Sequence, residues 1–192
     1  MRWFGPLYDR AMGWARHAHA PWYLAMLSFA ESSFFPIPPD VMLAPMCLAQ
    51  PQRARRFALL TTLASVVGGV AGYMIGLLAF HWVEPLLIEY GYHAKYLMVR
   101  EWFDHWGVWA VFLAGFSPIP YKLFTISAGV VAMNIPGFLV ASMVGRGGRF
   151  FLVALLMARG GPAMEAKLRR HIDLLGWLTV LVVLAIVLVS RF

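Results

Sequence analysis

Residues 57–80 read FALLTTLASVVGGVAGYMIGLLAF, a run of 24 residues that contains no charged side chain. A helix of about 20 apolar residues crosses the roughly 30 Å hydrocarbon core of a bilayer, so this stretch predicts a transmembrane helix. Gly68, Gly72 and Gly76 recur at four-residue spacing within it. Small residues at this spacing let two helix backbones approach closely, and we expect another helix to pack against this face.

The composition of the whole chain places it among membrane proteins. Of its 192 residues, 61% are hydrophobic and 13% are charged, whereas soluble domains carry about 25% charged residues. The net charge of +7 comes mainly from short basic clusters beside apolar segments, namely Arg2, Arg10, Arg16, Arg53, Arg55, Arg56, Arg159, Lys167, Arg169 and Arg170. Cytoplasmic loops retain positive charge in this way, so we predict an integral membrane protein of the inner-membrane type that binds no nucleic acid.

Residues 136–158 have the length of another membrane span but contain two arginines. Arg146 and Arg149 lie near the middle of this segment. Charge at that depth costs roughly 2.5–3.5 kcal/mol per arginine, and residues three apart share one face of a helix. Both side chains are therefore expected to point into protein, water or an anionic ligand.

Three further segments lead to simpler structural predictions. Residues 1–20 predict an amphipathic helix on the cytoplasmic surface, because tryptophans and leucine alternate there with basic residues. Residues 81–108 mix aromatic and charged side chains, which is typical of the membrane interface. Residues 159–192 predict a basic cytoplasmic segment followed by a C-terminal membrane anchor at about 174–190.

Two further apolar stretches, residues 21–50 and 109–135, contain clustered prolines. Proline inside a helix removes a backbone hydrogen bond and clashes with the preceding turn, so each stretch should be broken at mid-depth. The expected breaks lie at Pro36, Pro38, Pro118 and Pro120. Free backbone groups at membrane depth are tolerated only inside protein or against a wet cavity. We therefore predict two re-entrant helical hairpins, each of which enters and leaves on one side of the membrane.

The two hairpins form a short internal repeat. FPIP at residues 35–38 matches SPIP at residues 117–120. In this repeat Asp40 corresponds to Lys122, so a carboxylate would face a cation. The alternative, full spans at 21–50 and 109–135, would place Arg53, Arg55 and Arg56 on the opposite side from the N-terminal arginines. With re-entrant hairpins these basic clusters stay on one side, and the two hairpins enter from opposite sides. The predicted fold is an all-α membrane domain over residues 21–158, in which each of two inverted re-entrant hairpins precedes a transmembrane helix. Broken helices that meet near the midplane are typical of transporters.

The charged residues near the breaks are the candidate site. Glu31 and Asp40 could couple transport to protons, because desolvation favours the protonated form of a carboxyl group, or could neutralise Arg146, Arg149 or Lys122, because buried charges are usually paired. Lys122, Arg146 and Arg149 could hold a phosphate group, to which a guanidinium fork is well matched. As the alternative, the arginines are structural counter-ions. The glycines beside them would let a bulky head group approach the backbone.

Motifs of soluble enzymes do not occur in the chain. It contains no Gly-x-Ser-x-Gly elbow, no P-loop and no His-Glu-x-x-His motif. We therefore predict that the protein is not an enzyme, and we expect no cofactor and no metal site.

The order of motifs resembles the DedA family (the SNARE-associated, or VTT-domain, superfamily), and in particular its short YqaA-like branch. The resemblance covers about two-thirds of the chain and rests on FAESSFFPIPPDVMLAPM (29–46), GGVAGYMIG (68–76), GFSPIPYKLFTISAGVVAMNIPGF (115–138) and VGRGGRF (144–150). It implies a bacterial inner-membrane protein with two opposed re-entrant hairpins. Family acidic residues of the first hairpin correspond to Glu31 and Asp40, and proton motive force is implicated in the family.

The resemblance also implies lipid translocation, including that of undecaprenyl phosphate and phosphatidylethanolamine. One departure concerns the second hairpin, where the better-studied branch has Gly-Arg-x-x-Pro-x-x-Arg. Phe116 stands here for the first arginine and Lys122 for the second, so Arg146 and Arg149 are expected to supply the missing charge.

The sequence thus predicts a flippase or scramblase for a phosphate-bearing lipid, coupled to protons. A small-ion or solute transporter and a non-transport scaffold for membrane homeostasis are the alternatives. The expected partners are the bilayer and a membrane lipid, and a homo-oligomer is left open.

Overall fold

The computed structural model describes residues 17, 19–117 and 120–160. The described residues form helices and turns, with no strand among them. The helices are α1 Ala20–Ser33, α2 Asp40–Ala49, α3 Ala54–Glu89, α4 His93–Phe116, α5 Tyr121–Val130 and α6 Ile135–Gly160. The predicted helix over residues 1–20 lies almost entirely outside the described residues, and the predicted anchor at 174–190 lies wholly outside them.

Two interruptions of the helices coincide with the proline clusters. Helix α1 ends at Ser33 and α2 begins at Asp40, with Pro36, Pro38 and Pro39 between them. Helix α4 ends at Phe116, and α5 begins at Tyr121, directly after Pro120. A lone proline does not end a helix here, since α2 continues through Pro45 and α3 through Pro85. Single prolines remove one backbone hydrogen bond each, whereas clustered prolines remove several in succession.

Helix α3 is longer than the predicted span at 57–80, because it continues to Glu89. The charged residues after residue 80 end the apolar run but do not disfavour a helix. The helix stops at Gly91, which adopts a positive φ of 71°. Gly91 N–H donates to the Ile88 carbonyl and Tyr92 N–H to the Leu87 carbonyl, which is the Schellman arrangement that ends a helix at glycine. The predicted interfacial segment 81–108 is thus divided between α3 and α4.

The glycine face of α3 packs against α1 and α5. A Cβ atom added to Gly68 would collide with the backbone of Phe29 in α1, and one added to Gly76 would collide with the Ile126 carbonyl in α5. Gly72 lies between these positions and contacts Thr125 and the Ser32 carbonyl. The close approach expected from the glycine spacing is therefore present. Helix α1 covers the first half of α3, and α5 covers the second half.

Replacing Gly76 by alanine is expected to destabilise the protein, because the new methyl group would force α5 away from α3. Overpacking of this kind costs about 1–3 kcal/mol. Equilibrium unfolding by SDS in mixed micelles would measure the loss. Gly148→Ala is the matched control, since a Cβ there would meet only the ring of Phe116 at an ordinary 3.5 Å. An equal loss in both variants would contradict close packing at Gly76.

Helix α6 packs against the helices on both sides of each break. Phe150 and Ala154, in its second half, lie in one core cluster with Leu24 of α1 and Leu43 of α2. The first half of α6 contributes Phe138 and Ala141 to a second cluster, which also contains residues of α4 and α5. The intervening turns of α6 carry Arg146 and Arg149 and therefore lie between the two clusters.

Much of the apolar surface of the long helices faces outward. The stretches Pro51–Glu89 and Ile135–Gly160 are long and apolar enough to cross a membrane. Only 39% and 33% of their most apolar windows are buried within the protein. A core helix of a soluble protein would be covered on most of its surface, whereas large exposed apolar patches require a partner or lipid.

Candidate functional site

Both helix breaks and α6 border one cavity of about 360 Å³. Its lining residues are Glu31, Phe35, Pro36, Pro38, Pro120, Lys122, Arg146 and Arg149. Most of the predicted site residues thus line a single cavity, although they come from distant parts of the chain. Asp40 joins them through Arg149, while Pro118 lies outside the described residues.

Arg146 is fixed on all sides by protein groups. Its guanidinium forms a buried ion pair with Glu31 of α1, and its Nε donates to the Ser65 hydroxyl of α3 at 2.6 Å. The rings of Tyr121 and Phe150 lie 4.9 and 4.6 Å from its Cζ atom. Arg146 is 1% exposed. A charge so buried is tolerated because it is paired and hydrogen-bonded.

Serine and threonine hydroxyls surround this ion pair. The Ser32 and Ser65 hydroxyls are 2.7 Å apart, and Ser32 Oγ donates to Glu31 Oε2 at 3.2 Å. The Thr125 hydroxyl of α5 donates to the Ser32 carbonyl at 3.2 Å. Three helices are therefore joined by polar contacts at the level of the two breaks. A buried network of this kind favours one arrangement of its members.

Arg149 connects the start of α2 to the second break. Its Nη2 donates to Asp40 Oδ2, at the start of α2, over 2.5 Å. Its Nη1 donates to the Ser117 carbonyl, directly after α4, over 2.7 Å. The side chains of Arg149 and Asp40 are 20% and 22% exposed, so this pair is more accessible than that of Arg146 and Glu31.

Lys122 differs from both arginines in its partners. Its Nζ lies 3.5 Å from the Phe34 carbonyl, at the upper limit for a hydrogen bond. The two ion pairs recorded for the described residues are those of Arg146 and Arg149, so no carboxylate neutralises Lys122 there. Three cations and two carboxylates therefore surround the cavity, and the excess positive charge favours an anionic ligand.

Of the three cations that Asp40 could neutralise, it pairs with Arg149 and not with Lys122, its counterpart in the repeat. Among the glycines beside the arginines, Gly145 is closed to a head group, because it is buried against the Phe112 carbonyl of α4. Gly147 is half-buried beside Thr62, and Gly148 is exposed, with the ring of Phe116 about 3.5 Å from the position of a Cβ atom.

The sequence reasoning missed the residues that hold Arg146. They are Ser32, Ser65, Tyr121 and Phe150. A signal for two of them was present, since Ser28 and Ser32 in α1, and Thr61 and Ser65 in α3, recur at four-residue spacing in apolar helices. Polar residues that share one helix face in a membrane span indicate a buried polar contact.

Most of the chain matches one known protein domain. The VTT domain matches residues 25–159 of the chain. The chain belongs to the DedA family, whose domain this is. Proteins of this family are membrane proteins, in agreement with the two apolar helices. The matched range contains both breaks, the cavity and all its charged residues.

Two relatives match nearly the whole chain. A protein of Haemophilus influenzae, described as uncharacterized, is 49% identical over 187 residues, which are 97% of this chain and 96% of the relative. A similar protein of Histophilus somni, likewise described as uncharacterized, is 45% identical over 191 residues and the full length of both chains.

A third relative carries a functional name. Undecaprenyl phosphate transporter A of Staphylococcus aureus is 34% identical over 94 residues, which are 42% of this chain and 46% of that protein. No solved structure matches the chain.

Proposed function

We propose that the protein moves a phosphate-bearing lipid, such as undecaprenyl phosphate or a phospholipid, between the leaflets of the bacterial inner membrane. The observation that carries this proposal is the cavity between the two breaks, in which Lys122, Arg146 and Arg149 outnumber Glu31 and Asp40. The similarity to a protein named undecaprenyl phosphate transporter A supports the same class of substrate.

The size of the cavity suits a head group and not a whole lipid. About 360 Å³ lies near the lower limit of ordinary small-molecule sites. The long apolar tail would remain among the exposed apolar side chains of the helices, within the bilayer. Arginine and lysine would then replace the water that surrounds the phosphate outside the membrane.

The lengths of the short helices support re-entrant hairpins. Helices α1 and α2 contain 14 and 10 residues, and at 1.5 Å per residue they rise about 21 and 15 Å. A span requires about 30 Å, so neither helix crosses the membrane alone. Helix α5, with 10 residues, is equally short. In this arrangement both breaks lie near the membrane midplane, and the protein is a multi-pass protein of the inner membrane.

Glu31 and Asp40 are the proposed proton-coupling residues. Each carboxylate holds one arginine of the cavity. Protonation of Asp40 would weaken its ion pair and free Arg149 for a phosphate. Protonation of Glu31 would leave the charge of Arg146 without a counter-charge beside the same cavity. Because both changes add positive charge to the cavity, proton uptake and anion binding would favour each other.

Transport can be tested in proteoliposomes that carry a fluorescent polyprenyl phosphate or phospholipid. We expect protein-dependent movement between leaflets that responds to an imposed pH gradient. Replacing Glu31 by glutamine removes the carboxylate but keeps its shape, so this variant should lose the response to the gradient. A non-transport scaffold would move neither lipid, and that result would contradict the proposal.

A small-solute transporter is the second candidate, since the excess positive charge of the same cavity would also attract free inorganic phosphate. Uptake of radiolabelled phosphate into vesicles distinguishes the two functions. A lipid translocase moves the labelled lipid without accumulating phosphate inside, whereas accumulation of phosphate without lipid movement would favour the solute transporter.

A further inference from the structure

The two arginines of the cavity differ in what a ligand would have to displace. We propose that Lys122 and Arg149 hold the phosphate group of the ligand, that this phosphate replaces Asp40 on Arg149, and that Arg146 stays paired with Glu31. The inference rests on the proposed function and deepens it, because it separates the residue that exchanges partners from the one that does not.

Arg146 cannot exchange its partner without dismantling the network around it. Its Nε contacts Ser65, and its Nη2 contacts Glu31 and Ser32, the latter at 3.3 Å. Aromatic rings lie over its guanidinium. A phosphate that displaced Glu31 would leave this carboxylate buried without its cation, which is a costly state.

Arg149 can exchange its partner at lower cost. Its ion pair with Asp40 is partly exposed, at 20% and 22% of the two side chains. The second carboxylate oxygen of Asp40, Oδ1, is buried and accepts no hydrogen bond from the described residues. The carboxylate is therefore only half satisfied in this pair. A phosphate offers Arg149 the same kind of charged oxygen acceptor.

Lys122 supplies a second contact that requires no exchange. Its ammonium group has three donors, and the contact recorded for it is the long one to the Phe34 carbonyl. Lys122 and Arg149 line the same cavity. A phosphate between them would contact both positive side chains, and only Asp40 would lose its partner.

The exchange would also loosen the contact between the two hairpins. Arg149 holds the Asp40 carboxylate with one nitrogen and the Ser117 carbonyl with the other. It is thus a direct link between the start of α2 and the second break. A phosphate in place of Asp40 would break this link at the first hairpin and leave the contact with Ser117 intact.

Binding of two probes to the purified full-length protein in nanodiscs tests the exchange. The probes are farnesyl phosphate, a short polyprenyl monophosphate, and inorganic phosphate. Asp40→Asn should tighten binding about 3-fold or more, because the carboxylate that competes with the phosphate for Arg149 is removed. Arg149→Gln should weaken it about 10-fold or more, which corresponds to one lost charged hydrogen bond.

Arg146→Lys is the matched variant for the other arginine. It keeps the positive charge opposite Glu31 and should leave the affinity within about 2-fold, because Arg146 does not contact the phosphate. Equilibrium unfolding by SDS in mixed micelles checks its folding, since a folded variant should show an unfolding transition like that of the wild type. A folded Arg146→Lys variant that loses as much affinity as Arg149→Gln would overturn the division between the arginines.

Spin labels report the loosening separately from affinity. Cysteines at Val41 in α2 and Leu113 in α4, both exposed, are introduced after replacement of the single cysteine, Cys47, by alanine. Farnesyl phosphate should lengthen or broaden the distance between the labels, and Asp40→Asn should do so without any probe. Unchanged distances in both cases would overturn the proposed release of the first hairpin.

The remaining outcomes separate this inference from the proposed function. A wild-type protein that binds neither probe would overturn both. Binding of farnesyl phosphate without any gain in Asp40→Asn would overturn the exchange and leave the proposed function standing. Equal affinity for inorganic phosphate would assign the site to the free ion rather than to the lipid head group.

Discussion

Replacement of Arg146 by methionine is expected to lower the free energy of unfolding by about 3–5 kcal/mol, the usual cost of removing one partner of a buried ion pair. The loss arises because Glu31 remains in the protein, 12% exposed and without its cation. The cation–π contacts with Tyr121 and Phe150 are lost as well. Equilibrium unfolding by SDS in mixed micelles measures the difference.

A second substitution tests the reason for this loss. The double variant Glu31→Gln plus Arg146→Met should recover most of the stability, because no uncompensated charge is left. Lys122→Met is the control for removing a positive charge, and we expect little change, since no carboxylate among the described residues pairs with Lys122. If the double variant were as unstable as Arg146→Met alone, the ion pair would not be the cause.

The second large effect is expected on transport. The double variant Lys122→Gln plus Arg149→Gln should lower the initial rate of phosphate-lipid movement at least about 100-fold, because two hydrogen bonds to a charged group are each worth about 1.5–3 kcal/mol. Both side chains line the cavity, and neither is fully buried. Stability should therefore fall much less than the transport rate, which the lipid assay in proteoliposomes measures.

A matched pair of charges outside the cavity controls for the loss of net charge. Lys95 and Arg100 lie on exposed positions of α4 and do not line the cavity between the breaks. Lys95→Gln plus Arg100→Gln removes the same charge and should keep the transport rate of the wild type. Transport that falls equally in both double variants would show that net charge, and not the cavity, governs the rate.

The elements of the fold could be read from local chemistry to a large extent. The charge-free run at 57–80 lies within α3, and the proline clusters lie between α1 and α2 and between α4 and α5. The ends of the helices could be predicted less well from the sequence. Helix α3 extends to Glu89 because its end depends on the glycine turn at Gly91 rather than on the last apolar residue.

The candidate site was predicted as a set of residues but not as a set of contacts. Glu31, Lys122, Arg146 and Arg149 do line one cavity, yet nothing in the order of the residues showed that Asp40 pairs with Arg149 and not with Lys122. Ser65 was overlooked because the spacing of Thr61 and Ser65 indicates a polar face but not the group that this face contacts. Its importance lies in its contact with Arg146.

The sequence by itself determined where the helices are apolar, where prolines interrupt them and which charges lie within apolar segments. These properties follow from the backbone chemistry of proline and from the transfer free energy of each side chain, and both act locally. Only the tertiary structure decided which carboxylate each arginine pairs with and how deeply each pair is buried. The ion pairs join residues 115 and 109 positions apart, and α6 brings them together by packing against the helices on both sides of each break.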